Sequence, residues 1–150
     1  MKRSWKSLTI LSLVLLLSLV LTGIASADVI RGKGWLHAEG AGVAVLRMSG
    51  HIKIEGHGTG VIYIYNFDEL HAEGQGRRSD LRGGGVLFRG HEGTITATGE
   101  RMLVRIVGGK IDFDARGKGT AYLRGRGTYE TGGGSGDWAP DGFNIEVVEE

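Results

Sequence analysis

Five histidines, His37, His51, His57, His71 and His91, are the first side chains here whose chemistry could matter, because imidazole binds metals and exchanges protons near neutral pH. None stands two or four residues from another, so no single strand or helical turn presents a ready pair. His37 and His71 are singled out by context. Each lies in the string Leu-His-Ala-Glu-Gly, at residues 36–40 and 70–74, two positions before Glu39 or Glu73. Cross-strand pairing of these sets would gather the nitrogen and oxygen donors that zinc or copper takes, which makes His37 and His71 the candidate metal ligands. The competing expectation is ordinary solvated histidine.

The second constellation is basic. From Ile111 to Tyr129 the even positions include Arg116, Lys118, Tyr122, Arg124 and Arg126, which an unbroken strand would place on one outward face. Guanidinium groups with a tyrosine among them suit sulfated, carboxylated or phosphate-bearing polymers. The net charge past residue 27 is only −2, but its distribution is uneven: residues 77–127 carry 11 basic and 5 acidic side chains, and residues 128–150 carry no basic and 6 acidic ones. Internal pairing of that acidic tail with the basic middle is the simpler expectation; a basic surface for an anionic partner is the functional one.

Catalysis has less to stand on. The only serines past residue 27 are Ser49, Ser79 and Ser135, and Gly133-Gly134-Ser135-Gly136-Asp137 lacks the strand-to-helix elbow that would make its serine a nucleophile. Asp112 and Asp114 form a carboxylate pair on an outward face, without an enclosing pocket to shift a proton affinity. There is no cysteine, so disulfides and thiolate zinc sites are excluded. No glycine cluster opens a helix to cradle phosphate, and no cofactor is implied.

What must position these residues is a sheet. From Gly32 to Ile64 every even position is glycine or apolar, the period of a strand with one buried face. A second run, Ile111 to Tyr129, keeps the same rule at odd positions. The change of phase predicts a tight two-residue turn at Gly90-His91-Glu92-Gly93, since such a turn pairs residues i and i+3. The unbroken phase from 32 to 64 forbids simple hairpins there, leaving bulged turns, glycine bends or solenoid corners. Glycines recur two apart, at 40/42, 56/58, 74/76, 117/119 and 125/127 among others, on the apolar face, where a strand can bend or another backbone come close. Strands are expected near 35–39, 43–48, 51–55, 60–65, 70–73, 86–89, 94–98, 102–107, 111–116, 120–124 and 143–148. Loops are expected at 66–69, 77–80 and 131–142. The repeated pentapeptide, thirty-four residues apart, suggests duplication of a strand unit. Trp35, Tyr63, Tyr65, Tyr122 and Trp138 fall opposite the glycines or in loops, where a second layer, a ligand or self-association must cover them.

Residues 1–27 read as a signal peptide, with Lys2, Arg3 and Lys6, then a leucine-rich run, then Ala25-Ser26-Ala27. An uncleaved N-terminal membrane anchor is the alternative. Residues 28–150 read as a single all-β domain, a strongly bent antiparallel β-barrel or β-sandwich of about ten to twelve short strands, with a β-solenoid or trefoil-like repeat as alternatives. The expected function is an exported binding or structural module of the cell envelope. Its partner would be an anionic envelope polymer or lipid surface, not nucleic acid, and no transmembrane segment is expected past residue 27. A small barrel holding an apolar ligand is the second class, and a hydrolytic enzyme the third.

Overall fold

The computed structural model describes residues 30–149, so the signal-peptide reading of residues 1–27 lies outside the described residues. The chain is all-β, as its period demands. Among the described residues seven strands form one strongly curled open sheet: β1 (Ile30–Lys33), β2 (Trp35–His57), β3 (Val61–Tyr65), β4 (Glu69–Asp80), β5 (Val86–Thr131), β6 (Gly134–Asp137) and β7 (Phe143–Val148). Two of them are too long to be straight. β2 has 23 residues and β5 has 46, and both coil.

The register shows how. His37 pairs with both Asp114 and Glu130, and Arg116 with both Trp35 and His51, so the two partners of one residue lie 16 positions apart. β2 and β5 are thus antiparallel coils wound through each other. Sixteen residues at ~3.3 Å each span roughly 50 Å, enough to cross two walls about 10 Å apart and return. Following lateral neighbours, the first wall contains β6, then segments 128–131, 36–40, 111–116, 51–57, 92–98 and the start of β4. The second contains β1, β7, segments 119–123, 43–48 and 102–107, then β3, 86–89 and the end of β4.

Glycines make the corners. They oppose one another across strands, as Gly40 with Gly127, Gly42 with both Gly125 and Gly108, Gly50 with both Gly117 and Gly99, and Gly93 with both Gly56 and Gly74. Neighbouring strands must turn together to stay hydrogen-bonded, so each bend needs a row of glycines rather than one. Gly42 shows why no other residue serves. Its φ of 138° is a conformation L side chains avoid, and a Cβ there would run into the Arg124 carbonyl oxygen.

One core fills the space between the walls. Leu36, Leu46, Ile52, Ile54, Ile95, Val104, Ile111, Phe113 and Leu123 are essentially inaccessible to water; those between 32 and 64 and between 111 and 129 are in the phase the alternation assigns them. A fully buried aliphatic or aromatic side chain of this kind contributes roughly 1.5–3 kcal/mol. The β1, β4 and β6 strands each have a single neighbour and leave the sheet open. No helix among the described residues is long and apolar enough to cross a membrane.

Several local expectations are corrected. Residues 90–93 form no hairpin, because β5 runs through them; the phase changes there at a bulge, where the β4–β5 register slips between Gln75 and Arg77, and again where the β2–β5 register slips between Gly99 and Met102 and between Gly108 and Ile111. A bulge shifts parity as a turn does, so alternation alone could not separate them. Residues 77–80, expected as a loop, complete β4 and pair with Val86 to Arg89. The 131–142 segment holds β6, joined to β5 by a hairpin in which Thr131 pairs with Gly134, and Ser135 is exposed on it. Its Trp138 is buried, with the indole N–H donating to the Thr128 carbonyl at 3.0 Å. Both copies of the repeated pentapeptide stand in the first wall, two coils apart.

Candidate functional site

Alternation buries one side of each wall and leaves the other to solvent, so the outer faces carry the functional side chains. On the second wall one lateral row runs Tyr122, Val45, Arg105, Tyr63, Leu87. The row beside it runs Thr120, Arg47, Leu103, Tyr65, and the row on its other flank runs Arg124, Val43, Val107, Val61, Arg89, Arg77. Val43, Val45, Arg47, Tyr63, Tyr65, Leu103, Arg105, Tyr122 and Arg124 together line an open groove of about 600 Å³. Its aliphatic and tyrosine side chains are half-buried and its arginines exposed.

No carboxylate lines this groove, and among the described residues Arg47, Arg105 and Arg124 form no ion pair. The acidic tail does not neutralise it. Its ion pairs lie elsewhere, Lys118 with Glu149 at 3.7 Å and Arg31 with Glu146 at 3.6 Å. Beyond the groove Arg89 stands directly opposite Arg77, a like-charge pair that costs stability unless an anion sits between them. Tyrosine rings offer flat apolar faces and guanidinium groups bidentate donors, so the groove can stack planar or ring-shaped groups while holding anions.

The sequence-predicted basic stripe is broken up by the corners at 117/119 and 125/127. Tyr122 and Arg124 lie in the second-wall groove. Arg116 is on the first wall beside Trp35 and His51, Arg126 is at the corner beside Ala41, and Lys118 is at the opposite corner with Glu149. Arg47, Arg105 and Tyr63 take their places. Val43, Val45, Tyr63 and Tyr65 are apolar residues at outward positions of the alternation, a signal the sequence carries, but which strands lie beside one another is set by the coil.

The first wall is different in kind. Its outer rows include Glu130, His37, Asp114, Lys53, Thr96 and His71, with Thr128, Glu39 and Asp112 in the next. His37 places Nδ1 3.0 Å from Asp114 Oδ1 and Nε2 3.3 Å from Glu39 Oε1. Ligand atoms of His37, Glu39 and Asp112 all lie within 4.8 Å of one another. Burial pushes the His37 imidazole down, but the hydrogen bond and charge of Asp114, with Glu39 and Asp112 behind them, outweigh it and hold the group above its ordinary 6.5. His71 sits apart from this cluster on the β4 edge, its Nε2 3.0 Å from Glu73 and both side chains exposed. The two His-Glu sets therefore do not meet. His57 lies 3.7 Å from Asp112, and His91 is buried at a corner against Phe88 with Nε2 3.2 Å from the Glu73 carbonyl. Elsewhere Lys53 pairs with Glu55 at 2.7 Å, and Thr94 donates to Glu55 at 2.9 Å.

No protein-family model, curated protein or solved structure matches the chain.

Proposed function

We propose that this chain is an exported binding module of the cell envelope that holds an anionic polysaccharide along the outer groove of its second wall. One observation carries the reading: three arginines without carboxylate partners among the described residues, interleaved with three tyrosines and flanked by aliphatic side chains, line a single groove. A protein surface that gained nothing from a partner would set acidic groups among those cations, as the first wall does. The tyrosines and aliphatics favour a ring-bearing polymer over a simple counterion, because sugar rings present apolar faces to stack and their acidic substituents accept paired N–H donors. The inward positions are filled by core side chains, which turns the reading away from an apolar ligand held inside.

The test is retention on immobilised heparin, with neutral dextran and phosphatidylglycerol vesicles as parallel arms. Retention on heparin that persists near physiological salt, little on dextran, and earlier elution for R47A/R105A/R124A than for R116A/R126A are expected. Failure to bind heparin at low salt, or equal elution of the two variants, would refute the reading. Preferential capture by the vesicles would make the partner a lipid surface instead.

A further inference from the structure

On the opposite wall, we propose a binding site for one divalent transition-metal ion of zinc type, formed by His37, Glu39, Asp112 and His57. His37 and Glu39 stand two apart on β2 and share a face, while Asp112 is the register partner of Glu39 on β5. The ligand atoms of these three already converge within 4.8 Å, and His57 joins the set through Asp112. Two donors on a tetrahedral zinc at ~2.0–2.1 Å are about 3.3 Å apart, so the three need to close by at most about 1.5 Å.

Two further observations separate this cluster from solvated charges. The first is the setting of His37. When Nδ1–H donates to Asp114 Oδ1 at 3.0 Å, the Nε2 lone pair of the neutral ring faces a Glu39 oxygen at 3.3 Å. Two lone pairs at that distance repel unless a proton or a cation lies between them. An imidazole whose far nitrogen donates to a carboxylate is also the arrangement that fixes a metal-binding tautomer. Asp114 is thus a positioning residue. The second is His57. Its Nε2 is shielded from solvent and has no hydrogen-bond partner among the described residues, and it lies 3.7 Å from Asp112 Oδ2. Glu39, Asp112 and His57 line one groove. Two imidazoles with two carboxylates favour zinc or copper over calcium or magnesium, which take oxygen donors alone.

This site does not depend on the polymer-binding reading, since it lies on the other wall and its probe is the metal alone. The experiment titrates zinc chloride into chelator-treated full-length protein, followed by calorimetry and by nitrogen-correlated imidazole spectra. One ion per chain is expected, with the His37 and His57 resonances shifting and those of His71 and His51 unmoved. D112N and H37Q should each weaken binding at least ten-fold, H71Q should not, and circular dichroism should show all three folded. D114N should weaken binding less and release the fixed His37 tautomer. No heat and no shift at millimolar zinc, or equal binding by D112N and H37Q, would overturn the site. A response confined to His71 would do the same.

Discussion

The two walls are built from the same two coils around the same core, yet their outer faces have opposite character. On the first wall charges of both signs are within reach of each other: His37 with Asp114, Lys53 with Glu55, His71 with Glu73. On the second, Arg47, Arg105 and Arg124 stand among Tyr63, Tyr65 and Tyr122 without an acidic neighbour in the groove. The core fixes only every second residue. The other half of the sequence is free, and here it has been used in two ways, one wall setting cations and carboxylates beside each other and the other setting arginines in a groove that no carboxylate lines. That contrast, rather than overall charge, which is nearly balanced, is what supports the proposed binding face.

The largest effect should come from removing the corners that keep the faces apart. Gly42→Val or Gly125→Val puts a Cβ into an opposing backbone carbonyl at positive φ, and each is expected to cost several kcal/mol in denaturant unfolding and to disrupt both walls together. Gly109→Ala, where a Cβ meets open space, should change stability by less than about 1 kcal/mol. Equal tolerance of all three would mean that the glycine rows are not what bends the sheet.

Next in size is the asymmetry in binding. R105A/R124A should weaken heparin binding at least ten-fold with unfolding unchanged, because these side chains are exposed and form no ion pair among the described residues; a match to wild type would dissolve the contrast between the faces. The smallest effect belongs to the paired wall. The Glu55 carboxyl is held below its ordinary 4.5 chiefly by the Lys53 hydrogen bond, against an opposing push from burial. A carboxylate so depressed adds stability that is present above its unfolded pKa and lost as pH falls through the folded one. Lys53→Ala should therefore raise the Glu55 midpoint toward 4.5 and flatten that acid-side loss slightly, as carbon-detected carboxyl titration would report. An unmoved midpoint would mean the pair does not form in solution.

What was legible in the sequence was the part that is local. Alternation named Leu46, Ile54, Phe113 and Leu123 as core, and all four are buried. The unbroken phase from 32 to 64 ruled out hairpins there, and β2 indeed bends at Gly42 and Gly50 without a turn. Lateral order was not legible, because whether Val45 has Tyr122 and Arg105 beside it depends on a coil that brings together residues 17 positions apart, which no short window contains. For that reason alternation presents the basic stripe as continuous through 117/119 and 125/127, where the strand in fact turns corners. His37 was found from its Glu39 neighbour, whereas Asp112 and His57 reach it only through the coil, and His71 shares the string without the surroundings.

The most direct test of the two-faced account is to follow backbone amide shifts while short heparin fragments are added. Changes gathered at Val43 to Arg47, Tyr63 to Tyr65, Leu103 to Arg105 and Tyr122 to Arg124, with Glu39, Thr94 and Asp112 to Asp114 unmoved, are the predicted result. Shifts centred on the first wall, or spread evenly over both, would contradict it.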